Sequence, residues 1–212
     1  GLPHIDVVLI SHNHYDHLDE ASVKAMAAQA GGPPLFIVPL GIKPWLEGIG
    51  ITNVRELDWW DSHRVGAVEF VITPVQHWSS RTPWDRRETL WGGWAMFAPN
   101  LQAFFGGDTG YSADFKAIRE HFVKKGRLDG FDLALLPIGC YEPRGFMKEQ
   151  HVNPDDAVRM HLDLGARHSI GVHWGTFQDL CDEPLDQAPV DLAAARKQHG
   201  VADSAFEALA LG

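Results

Sequence analysis

Three imidazoles and a carboxylate fall within six consecutive residues, His12-Asn13-His14-Tyr15-Asp16-His17. Neutral imidazole is the commonest protein ligand for a metal ion, and carboxylate oxygen is its usual supplement. An apolar run, Ile5-Asp6-Val7-Val8-Leu9-Ile10-Ser11, leads straight into the cluster and reads as a buried strand. At the end of an extended segment, residues two apart point the same way, so His12 and His14 can share one ion. Asp16 and His17 lie beyond the bend, where they would serve a second ion nearby. A His-rich loop without a metal has no obvious structural use at this density.

Four more polar residues stand where other elements stop or start. His77 closes the run from Phe70 to Gln76, and Asp108 follows Phe104-Phe105-Gly106-Gly107. His173 ends Ile170-Gly171-Val172, and His151 precedes a capped helix. Residues at strand ends converge on one rim of a sheet-based domain, which is where such folds assemble their sites. Each alone reads as an ordinary core histidine or turn aspartate; joined to the first cluster, they supply the missing partners.

The elements that must position these groups alternate between strand and helix. Strands are expected at 5–11, 35–39, 54–57, 65–73, 91–98, 102–106, 131–137 and, last, 169–173. Helices are expected at 19–30, 42–48, 112–124 and 153–164, the last with Asn153 as cap, Pro154 at its first position and two aspartates in its first turn. No internal repeat or low-complexity linker interrupts the 212 residues. The expected architecture is one α/β domain over residues 1–212.

Composition narrows the function classes. Apolar (45%) and charged (22%) fractions are those of a globular protein, and the formal net charge of −10 opposes nucleic-acid binding, which needs clustered Lys and Arg. Uninterrupted apolar stretches fall short of the roughly 18–20 residues of a membrane span. Cys140 and Cys181 show no metal-site or disulfide-framework spacing, so each is expected as a packed thiol in a reducing, cytoplasmic setting. The eight tryptophans, six of them between Trp59 and Trp94, are expected to anchor core and loops before lining an acyl groove. Arg81, Arg86 and Arg87 fit either a phosphate or a solvated loop. Tyr15 and Tyr111, each beside a candidate ligand, fit either donation to that ligand or packing.

In its motifs the chain resembles the metallo-β-lactamase-fold hydrolases, whose pattern is His-x-His-x-Asp-His followed by a His, an Asp and a His at later strand ends. More narrowly it is similar to the N-acyl-phosphatidylethanolamine phospholipase D branch. The residues that carry the likeness are Ser11–Asp19, Gln76–Thr82, Gly106–Tyr111, Gln150–Pro154 and His173–Phe177, in family order. The resemblance implies an αββα sandwich, and because few residues precede the first motif, an incomplete N-terminal sheet. It implies His12, His14 and His77 on one metal, Asp16, His17 and His173 on the other, and Asp108 bridging both. Nitrogen and oxygen donors without thiolate suit Zn²⁺, and also Fe or Mn. It further implies a catalytic part for Asp16 and Asp108, with His151 near a substrate phosphate.

Three functions follow as expectations. The first is a phosphodiesterase acting on a small-molecule or lipid phosphodiester, with membrane contact a consequence of a lipid substrate. The second is opening of a lactone, sugar-phosphate lactone or β-lactam on the same metals. The third is an inactive metal-binding fragment.

Overall fold

The computed structural model describes residues 2–127, 129–178 and 180–209. Two sheets lie face to face. The smaller is fully parallel and contains β1 (Val7–Leu9), β2 (Leu35–Pro39) and β3 (Val54–Leu57) in that order. The larger holds β4 (Ser62–Val65), β5 (Val68–Thr73), β6 (Gly93–Ala98), β7 (Leu101–Phe105), β8 (Leu133–Pro137), β9 (His168–Val172) and β10 (Phe206–Glu207). Its order simply reverses the chain order, antiparallel from β4 to β7 and parallel from β7 to β10.

Alternation along the strands sorts side chains into layers, because successive residues point to opposite faces. On β2, Leu35 and Ile37 face the other sheet while Phe36 and Val38 face outward. On the larger sheet, Phe70, Ile72, Trp94 and Phe105 turn inward to meet them, and Val71, Ala95, Phe97 and Phe104 turn outward. Helices cover both outer faces. α1 (Glu20–Ala27) and α2 (Lys43–Gly48) bring Val23 and Leu46 onto the small sheet. α3 (Asp114–Lys124), α5 (Pro154–Leu164) and α6 (Gln187–His199) cover the large one through residues such as Phe115, Ile118, Val158 and Leu192. A short α4 (Arg144–Met147) sits in the β8–α5 connection. The result is the expected αββα sandwich, with three strands in its N-terminal sheet.

Asn153 caps its helix as expected, and Asp19, expected as the first residue of its helix, is the cap of a helix that starts at Glu20. The Asp19 carboxylate accepts from the Ser22 amide at 2.7 Å to start α1, and Asn153 Oδ1 accepts from the Asp156 amide at 2.9 Å to start α5. Gly165 closes α5 in the left-handed region, which lacks a steric penalty only for glycine.

Three expectations need correction. The strand expected over 65–73 begins only at Val68: Val65 ends β4, and β4 and β5 form a hairpin that turns at Gly66 with φ of 56°. His168–Val172 is not the last strand: α6 and β10 follow it. Cys140 and Cys181 are not free thiols but a disulfide, with Cα atoms 5.2 Å apart, inside the usual bonding range. That proximity depends on the connection after β9 folding back over the β8 end, which spacing along the chain does not reveal. Among the described residues, no helix is long and apolar enough to cross a membrane.

Candidate metal centre

β5, β7 and β9 all run the same way across the large sheet, so their C-terminal ends share one rim. His77, Asp108 and His173 stand just past those ends. The loop after β1 reaches the same rim because the large sheet holds it: Trp94 Nε1 donates to the Ile10 carbonyl at 3.0 Å and the Gly92 amide to the Ser11 carbonyl at 2.9 Å. Gly107 completes the approach. Its φ is +59°, and a Cβ there would lie 2.7 Å from Cβ of Ser11, so only glycine lets Asp108 sit against the His12 loop. His173 itself adopts φ of 59°, a strained setting for a non-glycine residue that is typical of functional sites.

Every residue expected at the centre arrives there. His12, His14 and His77 each offer a ring nitrogen, all within 4.8 Å of one another; His12 Nε2 is 2.9 Å and His77 Nε2 is 3.4 Å from His14 Nδ1. Asp16, His17, Asp108 and His173 form a second group by the same measure. Asp108 faces both. Its Oδ2 lies 3.1 Å from His17 Nε2 and 3.9 Å from Nε2 of both His12 and His77, while its Oδ1 lies 3.3 Å from His173 Nε2. Asp16 Oδ2 is 3.3 Å from His17 Nε2 and 3.5 Å from His173 Nε2. His151 Nδ1 comes within 3.8 Å of Asp108 Oδ2 and forms a third group with His77 and Asp108. Its side chain takes no part in capping α5, which Asn153 does.

The electrostatics of the two groups differ. Burial holds His12 well below its ordinary 6.5, lowers His14 and pushes His77 down to about 3, so these three are neutral near pH 7. Burial also opposes charge on His17 and His173. There the carboxylates of Asp108 and Asp16 win, raising His17 to about 10 and His173 above its usual value. Burial disfavours the anion at Asp108, yet the surrounding imidazoles keep its carboxyl well below the usual range.

These residues fit metal ions. Three neutral imidazoles converge nitrogen to nitrogen, and a proton can bridge only one pair at a time, whereas a cation accepts all three lone pairs. His77 Nδ1 donates to the Gln150 carbonyl at 3.0 Å, which leaves its Nε2 lone pair facing the group. Among the described residues, His14 Nε2, Asp108 Oδ1, His151 Nδ1 and His173 Nδ1, all buried, find no hydrogen-bond partner.

Other conspicuous residues have structural occupations. Trp59 and Trp91 donate to the carbonyls of Trp91 and Val75, at 2.6 and 2.9 Å. Tyr111 donates to Asp163 at 2.7 Å, and the Arg81 guanidinium stacks on the exposed Tyr15 ring, 4.1 Å from its centroid. Beside Asp16 and His173 opens a cavity of about 340 Å³, walled by Trp174, Phe177, Leu180, Leu185 and the disulfide. Sequence reasoning missed this wall; the apolar residues at 177, 180 and 185 were its visible trace.

The profile of the β-lactamase superfamily domain matches residues 1–174. The chain belongs to the metallo-β-lactamase superfamily of hydrolases. It is 43% identical over 187 residues to a Caenorhabditis elegans protein named N-acyl-phosphatidylethanolamine-hydrolyzing phospholipase D 1, covering 83% of this chain and 50% of that one. It is 31% identical over 185 residues to a metal-dependent hydrolase of Rubrobacter xylanophilus, covering 85% of this chain and 68% of the relative. The metallo hydrolase of Ignicoccus hospitalis shares the fold with a TM-score of 0.68 at 20% identity, over 96% of this chain and 76% of its own. The chain spans about half the length of the first curated relatives it matches.

Proposed function

We propose that this superfamily member is a phosphodiesterase of phospholipase D type, working within a single catalytic domain with two divalent ions, zinc in our reading. The observation that carries this is Asp108, buried where the two donor groups meet: its Oδ2 lies 3.1 Å from His17 and 3.9 Å from His12 and His77, and its Oδ1 3.3 Å from His173. His12, His14 and His77 would hold one ion, Asp16, His17 and His173 the other, and Asp108 both. A carboxylate can serve two ions roughly 3.5–4 Å apart, as an imidazole cannot. When bound, such ions supply Lewis acidity that brings the pKa of water from 15.7 to about 7 and neutralises charge on a phosphoryl oxygen.

The chain's own residues do the rest. Asp16, on the cavity side of the site, accepts a hydrogen bond from the attacking water and orients it. His151 lends Nδ1, which has no hydrogen-bond partner among the described residues, to a phosphoryl or leaving-group oxygen. The apolar cavity walls hold the rest of the substrate and exclude water. The name of the C. elegans relative supports an N-acyl-phosphatidylethanolamine-like phosphodiester as substrate.

A substrate panel on the zinc-loaded chain tests the reading. It predicts turnover of bis-p-nitrophenyl phosphate and of N-acyl-phosphatidylethanolamine without opening of lactones. Lactone opening without phosphodiester cleavage, or bound zinc with no hydrolysis at all, contradicts it.

A further inference from the structure

Arg81 lies four residues beyond His77, yet its charge is spent on the other ligand-bearing loop. Nη1 donates to the carbonyls of Asn13 and Leu18, at 3.0 and 2.7 Å. These two carbonyls bracket His14, Tyr15, Asp16 and His17, a turn closed by the Leu18 amide on the His14 carbonyl at 2.8 Å. The guanidinium also lies against two rings, 4.1 Å from the Tyr15 centroid and 4.4 Å from that of Trp45. Its own backbone is fixed: Asp85 accepts from the amides of Arg81 and Thr82, at 3.0 and 2.8 Å, and from the Ser80 hydroxyl at 2.8 Å.

We propose that Arg81 is a positioning residue that clamps the turn carrying Asp16 and His17 to the segment carrying His77, and so sets the spacing between the two donor groups. The proposal rests on the paired-ion reading above. A guanidinium suits the task because it keeps its charge, donates from a rigid planar fork and stacks flat on aromatic faces. A lysine ammonium supplies the charge without the fork or the plane. Because Nη1 is already engaged by backbone carbonyls, a substrate phosphate would have to compete for it.

The test uses R81K and R81M in the full chain, with thermal unfolding of each metal-free protein to establish that it folds. Hydrogen exchange of the His17 and Leu18 amides in the metal-free protein should speed up at least about tenfold in R81M, since a charged donor to two carbonyls is lost. Zinc affinity, measured by competition with a chelator, should fall about 10–100-fold in R81M, with R81K intermediate. At saturating zinc the KM for bis-p-nitrophenyl phosphate should stay at the wild-type value. Unchanged exchange and affinity, together with a raised KM, would overturn the proposal and make Arg81 a substrate contact. If the wild-type chain takes up no zinc, the paired-ion reading fails, and the exchange rates alone still decide whether Arg81 clamps the turn.

Discussion

Oδ2 of Asp108 stands 3.1 Å from Nε2 of His17, joining the end of β7 to the loop after β1 at the base of the site. Replacing Asp108 with Asn keeps the shape but removes the charge shared by the two groups. D108N should lose metal and turnover together, as elemental analysis and the phosphodiester assay would read. Full metal content with full activity in D108N would exclude a bridging carboxylate.

The protonation pattern predicts a stability maximum for the metal-free chain. His77 titrates near 3 when folded and near 6.5 when unfolded. Its contribution is therefore complete above pH 6.5 and drains away as pH falls toward 3. His17 works in the opposite sense: raised to about 10, it stabilises fully below pH 6.5, and that share is lost as pH rises toward 10. Urea unfolding after exhaustive chelation should show stability falling on both sides of about pH 6.5. H77Q should make the acid limb shallower, with the remainder carried by His12 and His14, and spare the alkaline one. A wild-type acid limb already flat between these values would refute the assignment.

Gly107 is predicted to be intolerant of any side chain. G107A forces a left-handed backbone on alanine and drives its methyl into Ser11, beside His12. The cost should be about 1–3 kcal/mol of unfolding free energy, read by denaturant titration, with weakened zinc binding alongside. G66A is the control, since its added Cβ meets nothing within 4 Å although its φ of +56° carries the same backbone strain. Equal losses in both variants would remove the contact with Ser11 from the explanation.

The Cys140–Cys181 bond joins positions 41 residues apart and forms part of the cavity wall. Loop-closure entropy of that size corresponds to about 2–4 kcal/mol. Reduction, or C140S with C181S, should lower the melting temperature by an equivalent amount while leaving the zinc donors in place. A melting temperature indifferent to reductant would show that the bond contributes nothing in solution.

The site was far more legible in the sequence than its supports. His12 to His17 are contiguous, so their chemistry shows without a fold. His77, Asp108 and His173 became readable because each follows an apolar strand, and strand ends share a rim. The turn at Gly66 was hidden because β4 is short and its residues alternate between exposed and half-buried. α6 buries only Ala188, Leu192 and Ala195, too small an apolar stripe to stand out in sequence. The Cys pairing and the reach of Arg81 depend on long-range contacts that neighbouring residues do not encode. A guanidinium serves a phosphate as well as it serves two carbonyls, so its type alone could not choose between them.

Metal stoichiometry tests the paired-ion centre most directly. The purified chain, equilibrated with zinc and freed of excess by gel filtration, should carry two ions per chain by elemental analysis. One ion or none would contradict it.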